Sequence, residues 1–179
     1  KIIDRGINGL IGPYLTPYEV LKNNYFDPWH RMVAESGRND LDMCHNEFVY
    51  VGESTKQVKA DIRDEVMWYV RKAAKIWGER DLNKVAEQYS NYNTILERFD
   101  SVSFEEIYEG LAIFGTPAEA EEKIRWIRDE GGCDYLMNFM WFGGISHEKA
   151  MRNMKLFAEE VMPKFRDDAK GSANREDHR

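Results

Sequence analysis

Four short apolar runs, each followed by a stretch with helical periodicity, constrain the fold of this chain more than any other feature. They are Ile7–Ile11, Met43–Val51 (MCHNEFVYV), Leu111–Phe114 (LAIF) and Asp134–Phe142 (DYLMNFMWF). Near-continuous apolar runs of this kind are strands buried on both faces, and strands that alternate with helices form a parallel sheet. Right-handed crossovers then leave two architectures, an open doubly wound sheet or an arc of a (β/α)8 barrel. A complete barrel takes eight strands and about 250 residues. This chain of 179 residues supplies four.

The helix starts are legible. TPYE (Thr16–Glu19) and GTPAE (Gly115–Glu119) each put Thr at the N-cap, Pro at the first helical position and Glu three residues after the Thr. That is a capping box with a preorganised first turn. STKQ (Ser54–Gln57) and SFEE (Ser103–Glu106) repeat the Ser-x-x-Gln/Glu form. Val58, Ile62, Val66, Tyr69, Ala73 and Trp77 make one long apolar stripe. Ala120, Ile124 and Ile127 make a second, ended by Gly131-Gly132, and Ala150, Met154, Phe157 and Val161 a last one, stopped by Pro163. Gly6 sits where a helical turn closes in the left-handed conformation that glycine adopts cheaply. Residues 78–109 exceed what a crossover needs and read as a helical insert, and residues 167–179 read as a disordered tail.

Composition narrows the function classes. The net charge is −7 with both signs interspersed and no basic block, which argues against nucleic acid as a partner. The apolar runs are too short to span a bilayer and there is no secretory h-region, so a cytoplasmic protein is expected. Cys44 and Cys133 lack metal-ligand spacing and read as reduced thiols, and no metal site is expected. No HExxH, P-loop, GxGxxG or nucleophile elbow occurs.

The segment GTPAEAEEKIRWIRDEGGCDYLMNFMWFGGISHEKAMRNMKLFAEEVMPKFR resembles the C-terminal end of the bacterial luciferase-like, flavin-dependent monooxygenases. The resemblance rests on Gly115-Thr116-Pro117, Gly132-Cys133-Asp134, Phe142-Gly143-Gly144 and Leu156–Pro163. FVYVGESTKQVKADI resembles the family's sixth strand and following helix, and DRGINGLIGPYLTPYE its fifth strand. It spans residues 1–166 and is strongest over 110–166.

This resemblance implies an α/β fold of four consecutive parallel β/α units, equivalent to strands five to eight of a TIM barrel, with the insert between the second and third. Residues 1–166 would be a half-barrel domain, with Lys1 inside the helix that precedes strand five. It implies a parent enzyme that oxidises a small organic substrate with oxygen, using reduced FMN from a separate flavin reductase, or the deazaflavin F420. The resemblance puts the flavin-phosphate turn just upstream of Lys1 and the catalytic histidine with most of the flavin-ring pocket in the first four strands, so these residues alone are expected to bind flavin weakly or not at all. A half barrel exposes two sheet edges and an apolar interior, so a homo-oligomer or a missing N-terminal half is the expected partner.

Barrel sites lie at the C-terminal strand ends, which selects Gly12 to Tyr14, Glu53, Phe114 to Thr116 and Asn138 to Phe142. The pocket candidates are Trp141, Asn138, Tyr14 and Met140. Trp141 fits a ring wall or packing beneath the last helix, and Asn138 a pocket contact or a structural hydrogen bond. His45 reads as a satisfied core histidine ahead of an acid or base, and Thr116 as a helix cap ahead of an anion site. The competing reading is a non-catalytic module with an open flavodoxin-like sheet, binding a small ligand or a protein at its strand ends.

Overall fold

The computed structural model describes residues 1–12, 15–78 and 92–166. Four strands carry the sheet: β1 (Gly9–Ile11), β2 (Met43–Val51), β3 (Ile113–Gly115) and β4 (Tyr135–Phe139). The helices are α1 (Tyr18–Leu21), α2 (Asp27–Glu35), α3 (Thr55–Gly78), α4 (Tyr92–Ser101), α5 (Phe104–Gly110), α6 (Pro117–Asp129), α7 (His147–Leu156) and α8 (Pro163–Arg166). A π-helical turn, Lys22–Phe26, joins α1 to α2, and another, Phe157–Val161, follows α7.

β2 matches its expected bounds and is the hub of the sheet. β1 pairs with its first residues (Gly9 with Met43), β4 with Cys44–Phe48, and β3 with Val49–Val51, all in parallel. A barrel arc would instead pair each strand with the next in sequence. β3 is only three residues long and meets only the last three of β2. β1 and β4 both pair with Cys44 and His45, so they take opposite edges of β2, and β4 supplies five residues to its own edge.

Side-chain alternation divides β2 between two cores. Met43, Val49 and Val51 face Leu21, Phe26, Trp29 and Val33 of the α1–α2 segment, Ala120, Ile124 and Ile127 of α6, and Phe157 and Val161. Phe48 and Tyr50 face the other way, with Phe114 and Phe142, onto Val58, Ile62, Val66 and Val70 of α3 and onto Phe104, Ile107 and Tyr108 of α5. Helices thus cover both faces of an open sheet, because both faces of β2 carry apolar side chains that must leave water. The register sets Asn138 beside Glu47 and Met137 beside Asn46.

Local signals held at three of the four expected capping boxes. Ser103 and Thr116 each accept from the backbone three residues on, while Glu106 and Glu119 return a bond to the cap's own N–H. Ser54 Oγ accepts from Gln57 N, and Gln57 Oε1 reaches the N–H of Glu53, one residue before the cap. The fourth is corrected: Pro17, not Thr16, is the N-cap of α1 and makes no side-chain cap bond. Gly6 (φ +69°) closes a 3-10 turn over Ile3–Arg5, and Gly132 (φ +73°) ends α6. Pro163 does not end the last helix; it opens α8 after the second π turn. Within the expected insert, α4 and α5 are helical, while residues 79–91, like the expected tail 167–179, lie outside the described residues.

Candidate functional site

α3 leaves the C-terminal end of β2 toward one face, and α6 leaves β3 toward the other. Crossovers that part in this way open a crevice at the strand ends, where α/β sheets place their ligands. Here Gly52, Glu53 and Thr55 meet Gly115, Thr116 and Glu119. The Glu119 carboxylate accepts the Thr116 N–H at 2.7 Å and the Thr55 hydroxyl at 3.3 Å from both of its oxygens. Burial works against that charge, but the bonds from Thr116 and Thr55 outweigh it and hold Glu119 below its ordinary range. Gly115 (φ +152°) is required for this closeness, since a Cβ there would stand 2.7 Å from Glu119 Cβ. The crevice is therefore filled by the protein's own anion, and Thr116 acts as a cap.

The nearest buried cation is also committed. Lys123 Nζ donates to the carbonyls of Tyr108, Ala112 and Phe114, at 2.5, 3.0 and 3.1 Å. Burial lowers its pKa to about 8.

On the α3 side, Tyr50 donates to Asp61 Oδ2 at 3.1 Å, and Arg152 of α7 donates to the same oxygen at 2.9 Å. Lys149 joins through Asp61 Oδ1 at 3.2 Å. Burial, then the Asp61 charge, pushes the Tyr50 phenol up to about 12. This network ties α3 and α7 to β2. Below it Phe48, Phe139, Phe142 and Tyr69 form an aromatic cluster, with Phe48 5.1 Å from Tyr69, 5.1 Å from Phe139 and 4.9 Å from Phe142.

The sequence candidates do not converge on one pocket. Trp141 is 54% exposed, donates from Nε1 to the Ile145 carbonyl at 2.9 Å and faces His147 at 5.8 Å between ring centroids. Asn138 is exposed on β4. Met140 packs partly buried against the α6-side core, and its carbonyl accepts from Asn153. Tyr14 lies outside the described residues. His45 is fully buried on the α1–α2 side, so it is a core histidine, but among the described residues its Nδ1 has no hydrogen-bond partner and it is not fully satisfied.

Sequence reading missed two polar residues. Glu47 is 2% exposed and brings Oε2 to 3.0 Å from His45 Nε2, while its Oε1 accepts the Phe48 N–H at 2.9 Å. The two-residue spacing on a strand, which puts both side chains on one face, was the available signal. Asn153 is fully buried; its Oδ1 accepts the Val51 N–H at 2.8 Å, and its Nδ2 donates to the carbonyls of Val49 at 3.0 Å and Met140 at 3.3 Å. Its position, three residues after Ala150 and four before Phe157 on the apolar stripe, marked it as buried.

The described residues taken alone do not fit a flavin. The helix-start donors that would hold a phosphate are taken by Glu119, Lys123 is turned onto carbonyls, and the strand-end face that would hold a ring is filled by the Phe48–Phe142 cluster. Among the described residues no group of three His, Cys, Asp or Glu side chains could hold a metal ion, and no helix is long and apolar enough to cross a membrane. Cys44 and Cys133 are free thiols.

No family model and no curated protein matches the chain. Solved structures do. The fold is similar to monooxygenase RslO1 from Streptomyces bottropensis, with TM-score 0.61 and 17% identity over 92% of this chain and 44% of that one. It is similar to the oxygenating constituent of 3,6-diketocamphane monooxygenase from Pseudomonas putida, solved in complex with FMN, with TM-score 0.65 and 13% identity over 91% of this chain and 44% of that one. A third is the coenzyme F420-dependent tetrahydromethanopterin reductase from Methanopyrus kandleri, with TM-score 0.51 and 16% identity over 93% of this chain and 53% of that one. The chain thus shares the fold of these solved structures over about nine-tenths of its length and spans about half of their length or less.

Proposed function

We propose that this chain is the C-terminal part of a flavin-dependent oxidoreductase of the luciferase-like type, equivalent to strands five to eight of the barrel. The observation that carries the reading is the fold likeness to an FMN-bound monooxygenase over 91% of this chain but 44% of that one. The parent would be a monooxygenase acting on a small organic substrate with reduced FMN from a reductase. The F420-dependent neighbour keeps deazaflavin chemistry as the second reading.

In this reading the described residues are scaffold. Trp141, at the end of β4 with half its surface free, is the side chain best placed to become a pocket wall once further β/α units, or a second copy, stand against the sheet. Asn138, exposed on β4, would stand near it on the same strand.

The test is the reading frame upstream of Lys1 and the flavin affinity of its product. The expected result is four further β/α units with saturable FMN or F420 binding by the longer protein, and no saturable quenching of FMN fluorescence by the 179-residue chain. A longer protein that binds neither cofactor would overturn the oxidoreductase reading. Tight FMN binding by the 179-residue chain would overturn the scaffold reading.

A further inference from the structure

We infer that His45 and Glu47 form a proton-controlled latch that holds the α1–α2 segment, Tyr18–Glu35, on the sheet: closed while the pair keeps its extra proton, loosened when that proton leaves. The geometry is that of a carboxylate 2% exposed whose hydrogen-bond partners are an imidazole nitrogen at 3.0 Å and a backbone N–H at 2.9 Å. A bare carboxylate in such a place, with neutral donors only, is costly.

The groups around it leave the proton as the means of neutralising the charge. α1 contributes the Tyr18 phenol, which is buried, stacked on Trp126 at 5.6 Å and without a hydrogen-bond partner. The π turn contributes Phe26, edge-on to His45 at 5.9 Å, while Lys22 and Asp27 at its ends pair with each other at 2.9 Å. α2 contributes Trp29, whose Nε1 is also buried without a partner, and His30, whose Nε2 sits 2.7 Å from the Gly132 carbonyl. β1 sets Ile11 beside His45, and β4 sets Leu136 beside His45 and Asn138 beside Glu47. α6 offers Lys123, whose ammonium is held by three carbonyls and whose charge pulls on Glu47 less than burial pushes.

The sign follows from linkage. Burial raises the Glu47 pKa, against the weaker opposing pulls of His45, the Phe48 N–H and the Lys123 charge, while a Glu47 opened to water returns to its ordinary value. The closed form therefore keeps a proton that the opened groups give up at lower pH. Below the ordinary values of the opened groups the closed form has its full advantage; from there up to the pair's apparent pKa opening becomes about tenfold more favourable per pH unit, and above it the response levels off. Opening the segment would also wet the His45 Nδ1, Tyr18 Oη and Trp29 Nε1, three buried atoms that lack partners among the described residues when it is closed. The segment is the natural one to open, because α1 is four residues long and breaks at once into a π turn.

Hydrogen exchange of the 179-residue chain between about pH 5.5 and 8.5, corrected for intrinsic rates, tests the latch. The expected result is an opening constant for peptides within 18–35 that climbs toward tenfold per pH unit while α6 peptides stay level, with Glu47→Gln protected and level throughout. A level response in the unsubstituted chain, or an unchanged slope in Glu47→Gln, overturns it. Should Glu47→Gln fail to fold by circular dichroism, carbon-13 titration of the unsubstituted chain decides. One Glu carboxyl titrating well above the others supports the latch, and all Glu titrating in the ordinary range refutes it.

Discussion

Replacing Asn153 by Ala is expected to cost about 3–7 kcal/mol, because one side chain there stands in for a stretch of strand. β4 and the Asn153 amide serve the same edge of β2. Asp134 N–H donates to the carbonyl of Met43, and Asn153 takes the Val51 N–H and Val49 carbonyl farther along. All three β2 residues are odd-numbered and so point the same way. β4 ends opposite Phe48, so truncation leaves the Val51 N–H and the Val49 and Met140 carbonyls without their partner in the core. Each buried group so stranded costs roughly 1–3 kcal/mol, and the longest bond, 3.3 Å to Met140, is counted at the low end. Against a domain stability of about 5–15 kcal/mol this is a large fraction. Asn153→Leu restores volume but not the bonds and should lose a similar amount. Asn153→Asp keeps an acceptor for Val51 but sets an anion beside two carbonyls, so it should be worst at neutral pH and recover partly in acid. Urea unfolding at pH 7, read with exchange at the Val51 amide, is the assay. A loss under about 1 kcal/mol for both Ala and Leu, with Val51 exchange unchanged, would refute the argument.

Three further outcomes are expected. Gly143→Ala should cost at least about 2 kcal/mol by thermal or urea unfolding, since Gly143 has φ +60° and a Cβ there would collide with the Glu65 carbonyl. With a thiol reagent at pH 8, Cys44, which is partly exposed, should react slowly, and Cys133, whose thiol burial pushes up to about 12, should stay unreactive until the chain unfolds. Burial holds Lys123 at about 8, below its ordinary 10.5, so the folded chain binds fewer protons than the unfolded one between those values. Stability relative to Lys123→Met should therefore rise across that window, by up to about 3 kcal/mol, as measured by urea midpoints from pH 7 to pH 11. A difference that stays constant would show that the three carbonyls keep the ammonium at its ordinary value.

What the sequence determined by itself is local. The capping boxes at Ser103 and Thr116 and the left-handed Gly6 and Gly132 depend on groups within a few residues, and β2 could be bounded from its apolar run alone. Even there a local signal failed at Thr16, where the chain enters α1 through Pro17. Tertiary structure decided whatever depends on which strand lies beside which. It put β4 against β2, on the edge that the Asn153 amide continues past Phe48. It turned the Glu119 carboxylate into the crevice, so that a motif with the look of an anion site became its own ligand. His45 and Glu47 could be placed on one face from their spacing, but only packing under Tyr18–Glu35 removed them from water and made their proton matter. The physical reason is range: caps and turns are satisfied by neighbours in sequence, whereas burial and edge pairing are satisfied by whatever the fold brings near.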